Sequence, residues 1–300
     1  MEIREQRPAS DSTVASPRRQ ASITRRERLS LLFLVALSVA STIPIYRISI
    51  TDYAQRVGWF AHLEPRQQAY VYALFVLLVA SLIYLSGLVG LWASKRAHLT
   101  PMPIIDTDGG SVANRLRALR PAVRFGFLCV AISFLIVVPQ LILFGSGPSA
   151  GASPALLSRR HHFVNLMTQL VTWRSVGVIL LGAPIREEIV FRLLLVSALG
   201  WLLGEFWKHD GTVASTRIMW TTVVVSGLAF GLLHVMAGES VAWWRPIYAQ
   251  VFLDPRTYIG MVLAWLYWKR GIEAAIVAHA TLNAIGPIIV GLAIVVVRGY

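Results

Sequence analysis

The sequence predicts an all-α membrane protein, a transmembrane helical bundle of about seven spans. Of its 300 residues 56% are hydrophobic and only 14% are charged, whereas a soluble domain carries roughly 25% charged residues. Several apolar runs of about 20 residues or more are each long enough to cross the hydrocarbon core as a helix. A soluble fold would have to bury most of these runs in one core, so the composition favours the membrane class.

Seven apolar runs are the candidate spans. They cover residues 29–45, 69–93, 123–144, 173–203, 216–236, 257–268 and 272–297. The sixth is short, and we expect its helical region to begin earlier, near Trp243 or Ile247, with an interruption at Asp254-Pro255 because proline breaks helices. Residues 106–110 and 145–154 are rich in turn-forming residues and are predicted to be loops.

The charge distribution predicts the orientation of the chain. With the amino terminus inside, inside segments hold 17 Lys and Arg and outside segments hold 9, which favours a cytoplasmic amino terminus and, in a prokaryote, the plasma membrane. The net charge of +13 lies in segments between spans, where anionic lipid headgroups account for it, so no nucleic-acid partner is expected. A single cysteine, Cys129, excludes a disulfide framework and a cysteine metal site.

Three regions follow from this pattern. Residues 1–28 are Arg- and Ser-rich and are predicted to be a disordered basic cytoplasmic tail. Residues 29–150 hold the first three spans and their loops. Residues 151–300 hold the last four spans, between which all the polar motifs described next are found, so this region is predicted to form the functional core.

The first polar motif lies in the fourth span, where Glu187 and Glu188 interrupt an apolar run. An ionisable group at that depth costs roughly 2.5–3.5 kcal/mol on insertion scales, so its presence suggests a function. Residues four apart share a helix face, which predicts an ion pair between Glu188 and Arg192. Glu187 is then the less neutralised carboxylate and the better candidate for a general base. The alternative is a cluster of ion pairs, including Arg186, that only locks helices together.

Two further motifs place polar groups on the fifth and seventh spans. Phe230 and His234 lie four residues apart, and Gly231 between them permits close helix approach. His279 and Asn283 have the same spacing, so an imidazole and a carboxamide could both donate to one oxygen. Taken singly, each motif is equally compatible with packing or interhelical hydrogen bonding.

Taken together, the motifs supply what amide hydrolysis requires: a carboxylate base, imidazoles and an amide for the oxyanion. The sequence lacks HExxH, Gly-x-Ser-Gly and Gly-x-Gly-Asp, which argues against zincin-like, rhomboid-like and presenilin-like intramembrane proteases.

At these residues the chain resembles the CAAX-protease and bacteriocin-processing family, which includes CAAX prenyl endopeptidases and bacterial Abi-type membrane proteins. The family pattern is EExxxR, FxxxH and HxxxN, and the chain carries all three in this order. The likeness covers residues 173–297. One departure is Leu193, where many relatives have glycine after the arginine.

The resemblance implies an intramembrane endopeptidase that acts near the carboxyl terminus of a membrane-embedded or lipid-anchored protein, with a prenylated CAAX protein as one candidate. Carried onto this chain, the family roles make Glu187 and His234 the water-activating pair and His279 and Asn283 the oxyanion donors. Glu188 and Arg192 would hold the first motif in place, although Glu188 could share the base role.

The resemblance leaves the cofactor and one alternative function open. Glu187, His234 and His279 could hold a divalent metal such as zinc, since the family is also described as metal-dependent. We favour a metal-free glutamate mechanism, because no histidine has an obvious carboxylate partner in the sequence. The alternative function is a non-catalytic immunity or scaffold protein that keeps the family fold.

Overall fold

The computed structural model describes residues 22–57, 62–106, 111–144, 177–207, 216–237 and 246–298, and these contain helices and no strand. In chain order the helices are α1 (Arg25–Val57), α2 (Pro65–Arg96), α3 (Pro103–Asp106), α4 (Val112–Phe144), α5 (residues 178–206), α6 (Thr216–Met236), α7 (Ile247–Leu253), α8 (Pro255–Arg270) and α9 (Ile272–Arg298). The all-α class is confirmed.

Helix α5 is irregular and carries the first polar motif. It consists of four consecutive stretches: π-helical Val178–Gly182, α-helical Ala183–Glu188, π-helical Ile189–Val196 and α-helical Ser197–Phe206. π-Helical turns are rare and occur frequently at functional sites. Here they lie directly before and directly after the stretch that holds the two glutamates.

Within the part of the chain that the structure describes, four helices are long and apolar enough to cross a membrane by length and composition. They are Pro65–Arg96, Val112–Gln140, Leu180–Phe206 and Thr216–Met236, and Ile272–Gly286 is a shorter apolar helix. These four match predicted spans, and α1, α8 and α9 overlap the other three. A multi-pass membrane protein with about seven spans is therefore the architecture that the described helices support.

The start of α1 corrects the predicted tail. The helix begins at Arg25, so the prediction of disorder through residue 28 was wrong for its last residues. Its first turn is closed by a capping box: Thr24 N donates to Glu27 Oε2 (2.8 Å), and Glu27 N donates to Thr24 Oγ1 (3.2 Å). Lys95 at the end of α2 binds the same carboxylate at 2.7 Å. Residues 1–21 lie outside the described part of the chain.

The predicted interruption in the sixth span is present. Helix α7 ends at Leu253 and α8 begins at Pro255, with Asp254 between them in extended conformation. Asp254 Oδ1 accepts from Arg256 N at 2.8 Å and so caps α8, while proline at the first position needs no amide partner. Of the loop predicted at 106–110, Asp106 is the last residue of α3 instead, and residues 107–110 lie outside the described part of the chain. Trp243 and the predicted loop at 145–154 lie outside it as well.

Helices from both halves of the chain share one core. Leu31 of α1, Leu91 of α2, Ile189 and Leu193 of α5 and Tyr267 of α8 are all buried in the same hydrophobic cluster. Leu193, the departure from the family pattern, is fully buried there, so the bundle accommodates the larger side chain. The first two spans therefore help to hold α5 in place.

Glycine allows two helices of the core to approach closely. A Cβ on Gly260 of α8 would lie 2.9 Å from the Cα of Gly227 of α6, and a Cβ on Gly227 would lie 2.7 Å from the Thr257 carbonyl. Small residues at such crossings are a general means of packing membrane helices. The contact fixes α6, which carries His234, against α8.

We expect Gly227→Ala to destabilise the protein by about 1–3 kcal/mol, because the new methyl overlaps the backbone of α8. Gly204→Ala is the matched control, since a Cβ there meets nothing within 4 Å, and it should be neutral or slightly stabilising. Thermal unfolding of both variants in detergent measures the difference. Equal melting temperatures for the two would contradict the close α6–α8 contact.

Candidate active site

The buried carboxylate of Glu188 joins α5 to α9. Its Oε2 lies 3.1 Å from Arg192 Nε, and both side chains are fully buried, which is the ion pair that helical spacing predicts. Its Oε1 lies 2.8 Å from Nδ1 of His279. An ionised carboxylate can only accept hydrogen bonds, so Nδ1 of His279 carries the proton. Glu188 therefore contacts two of the predicted site residues, one on each helix.

Arg192 connects this carboxylate to the rest of the bundle. Its Nη2 donates to the Gly260 carbonyl of α8 at 3.4 Å, and its guanidinium carbon lies 4.6 Å from the centre of the Phe230 ring of α6. Its Nη1 has no hydrogen-bond partner among the described residues. One guanidinium thus contacts α5, α6 and α8.

Glu187 is more accessible than Glu188 and lies beside the imidazoles. Its side chain is 20% exposed, and its Oε2 lies 3.8 Å from Nε2 of His279. Glu187 also lines a partly open cavity of about 250 Å³ between α5 and α6, to which His234 contributes. The two glutamates therefore have different surroundings, with Glu188 enclosed by partners and Glu187 facing a partly open cavity.

The His234 ring has a defined orientation. Its Nδ1 lies 2.8 Å from the Phe230 carbonyl one turn earlier, and a carbonyl only accepts, so Nδ1 holds the proton. In the neutral ring Nε2 is then an acceptor. The Phe230 ring packs against His234 at 4.5 Å and against His279 at 6.1 Å between centroids. Phe230 therefore lies between the two histidines and fixes their separation.

Asn283 lies one turn after His279 on α9 and is half-buried. The i, i+4 spacing on a regular helix places its carboxamide on the same face as the imidazole. Of the six predicted residues, the structure directly connects Glu187, Glu188, Arg192 and His279. His234 joins them through the cavity it shares with Glu187.

The predicted metal ligands do not assemble into a metal site. Among the residues that the structure describes, no group of three or more His, Cys, Asp or Glu side chains is arranged to hold a metal ion. Glu187, His234 and His279 therefore do not fit a three-ligand centre as placed here. One premise of the sequence argument was also wrong: His279 does have a carboxylate partner, Glu188, which an interhelical contact supplies.

Three contributors to the site escaped the sequence analysis. The Gly260 carbonyl holds Arg192, and no sequence signal marks a backbone acceptor on another helix. Phe191 packs edge-on against Phe230 at 5.0 Å, and its position four residues after Glu187 was the available signal. Arg186 lines the cavity beside Glu187, although the sequence suggested for it only an ion-pair role.

Comparison with known proteins supports the resemblance. Residues 169–285 match the family model described as type II CAAX prenyl endopeptidase Rce1-like, which confirms the recognition drawn from the three motifs. The matched segment is less than half of the chain and contains all six predicted site residues. No curated protein and no solved structure matches the chain.

Replacing Glu188 should affect stability far more than replacing Glu187. Glu188→Gln leaves the buried Arg192 without its counter-charge, and breaking a buried pair in this way costs about 3–5 kcal/mol. Glu187→Gln removes a partly exposed charge and should change the free energy of unfolding by less than about 1 kcal/mol. Denaturation in detergent compares the two variants.

A double variant tests the cause. Glu188→Gln combined with Arg192→Met removes both buried charges, and it should be more stable than Glu188→Gln alone. If the double variant lost as much free energy of unfolding as the two single variants together, the instability of Glu188→Gln would not be due to the broken ion pair.

Proposed function

We propose that this chain is an intramembrane endopeptidase that hydrolyses a peptide bond of a membrane-associated protein, using water activated by Glu187. The Rce1-like match over residues 169–285 supports CAAX-type intramembrane proteolysis as the general activity. The observation that carries the mechanism is the unequal placement of the two glutamates, with Glu188 enclosed by Arg192 and His279 and Glu187 facing a cavity that it shares with His234.

Glu187 and His234 form the water-activating pair. A water molecule between them would donate one hydrogen to the Glu187 carboxylate and the other to Nε2 of His234, which is the unprotonated nitrogen of that ring. A lone pair of the water then faces the scissile carbonyl. Glu187 takes the proton as the carbon–oxygen bond forms and returns it to the leaving amine when the carbon–nitrogen bond breaks.

His279 and Asn283 form the oxyanion donors. The Glu188 contact at Nδ1 turns Nε2 of His279 toward Glu187, and this nitrogen donates to the oxyanion when the ring carries its second proton. Glu188 then compensates the charge of the imidazolium. The Asn283 carboxamide on the same helix face supplies the second donor, so developing charge on the carbonyl oxygen meets preorganised groups.

Glu188 and Arg192 are positioning residues in this mechanism. Neither is proposed to touch the substrate. Arg192 supplies the counter-charge of Glu188 and holds it in place, and Glu188 in turn sets the plane of the His279 ring. This is the arrangement in which a carboxylate orients a catalytic imidazole through the nitrogen that does not react.

The substrate is proposed to be membrane-embedded or lipid-anchored, and a prenylated CAAX protein is the substrate class that the family description suggests. The proposed topology has a cytoplasmic amino terminus. Residues 151–300 are proposed as the protease core, supported on helices of the first 150 residues.

Glu187→Gln should abolish cleavage while leaving the fold intact. Loss of a general base lowers kcat by about 10²–10⁴-fold, and glutamine keeps the size of the side chain. Cleavage of an S-farnesylated fluorogenic peptide and of an unprenylated transmembrane-anchored peptide, in proteoliposomes, measures the effect. Thermal unfolding is recorded on the same preparations.

The matched control is Glu205→Gln, an exposed glutamate at the other end of α5, which should retain wild-type activity. Retained cleavage in Glu187→Gln would refute the proposed base. Wild-type protein without activity, together with unfolding at lower temperature in Glu187→Gln, would favour the non-catalytic scaffold instead.

Activity should persist when divalent metals are removed, because each step above uses protein groups and water. The test is dialysis of the purified protein against a chelator, followed by the same cleavage assay and by elemental analysis. The metal-free mechanism would be refuted if dialysis abolished the activity, added zinc restored it, and the active protein bound one zinc per chain.

A further inference from the structure

The cavity beside Glu187 has an unusual combination of apolar walls and one fixed positive charge. It is lined by Arg186, Glu187 and Val190 with Phe191 of α5, and by Leu233, His234 and Ala237 of α6. Glu187 and His234 belong to the proposed catalytic pair. The remaining walls are apolar except for Arg186, whose role the mechanism does not use.

Contacts between α5 and α6 order the cavity along its length. Gly200 of α5 approaches Met219 of α6, and Phe191 packs against Phe230, so the two helices run antiparallel. The Phe191–Phe230 ring pair therefore lies on one side of the catalytic pair. Arg186 directly precedes Glu187 on α5 and lines the same cavity.

Arginine at this position is suited to one kind of group. Its guanidinium is always charged and presents a planar fork of donors that matches a carboxylate. Apart from the proposed catalytic pair, the rest of the lining is apolar, so this attraction is screened less than it would be in water. A peptide segment that carries apolar side chains and one carboxylate complements the cavity in both respects.

We propose that Arg186 forms a subsite that binds a carboxylate of the substrate. The inference rests on the proposed endopeptidase function and names a specificity residue for it. Arg186 touches the bound peptide away from the reacting atoms, so it affects substrate binding and does not take part in proton transfer. In a polypeptide the carboxylate comes either from the free carboxyl terminus or from an acidic side chain.

Matched peptides distinguish the two sources. Three S-farnesylated peptides with apolar residues after the farnesylcysteine would be compared: one with a free carboxyl terminus, one amidated, and one amidated with glutamate as the last residue. If the terminal carboxylate is the ligand, wild-type kcat/KM should be about 10-fold or more higher for the first peptide than for both amides. If any carboxylate suffices, the third peptide should match the first.

Variants connect this preference to Arg186. Arg186→Gln should lower kcat/KM for the preferred peptide about 10-fold or more through KM and remove the preference, so that the variant cleaves all three peptides with similar kcat/KM. Arg186→Lys should restore part of the preference, because it keeps the charge but loses the fork. Arg124→Gln, an exposed arginine of α4 outside the cavity lining, is the matched control and should behave as wild type.

Two results would overturn the proposal: equal kcat/KM for all three peptides in the wild type, or an equal loss on all three in Arg186→Gln. Binding of the same labelled peptides to Glu187→Gln, measured by fluorescence anisotropy, separates this subsite from the reaction. Carboxylate-selective binding that Arg186→Gln removes would support the subsite even if the wild type cleaved nothing. Unselective binding with normal cleavage would refute the subsite and leave the endopeptidase intact.

Discussion

The buried carboxylate of Glu188 is the constraint on which the rest of the site depends. It is fully enclosed, and in an apolar bundle an isolated carboxylate would be too costly to keep ionised. The ion pair with Arg192 and the hydrogen bond from His279 offset this cost, and together they hold α5 against α9. Arg192 then reaches Gly260 and Phe230, so the same charge also fixes α8 and α6.

This arrangement separates the tasks of the two adjacent glutamates. Glu188 holds helices together through its buried partners, and Glu187 remains accessible from the cavity. Two neighbouring residues on a helix point about 100° apart, so a single motif can serve both the interior of the bundle and an open space. The proposed chemistry follows from that difference in surroundings rather than from any difference between the two side chains themselves.

Contacts within one helix could be predicted from the sequence, and contacts between helices could not. Spacing predicted the Glu188–Arg192 pair, and Pro255 predicted the break between α7 and α8. The capping box at Thr24 and Glu27 was also readable, although it was missed, and the predicted tail ran too far as a result. Local patterns carry this information because the partners are a fixed number of residues apart.

The contacts between helices depend on tertiary packing, which no local sequence pattern encodes. The hydrogen bond from His279 to Glu188 joins residues that are 91 positions apart, and its absence from the sequence argument led to a wrong premise about the histidines. The π-helical turns on either side of the glutamates are equally hidden. They change which residues share a face, and apolar residues such as Ile189 and Leu193 give no sign of the altered winding.

The packing of α4 against α9 has a consequence for what counts as the catalytic unit. A Cβ on Gly126 of α4 would lie 2.7 Å from the carbonyl of Ala278, the residue directly before His279. The segment that matches the protease family begins at residue 169, after the end of α4, so α9 packs against a helix that lies outside that segment. A helix that carries no family motif thereby holds the backbone next to His279, and a larger side chain at this contact would displace that residue.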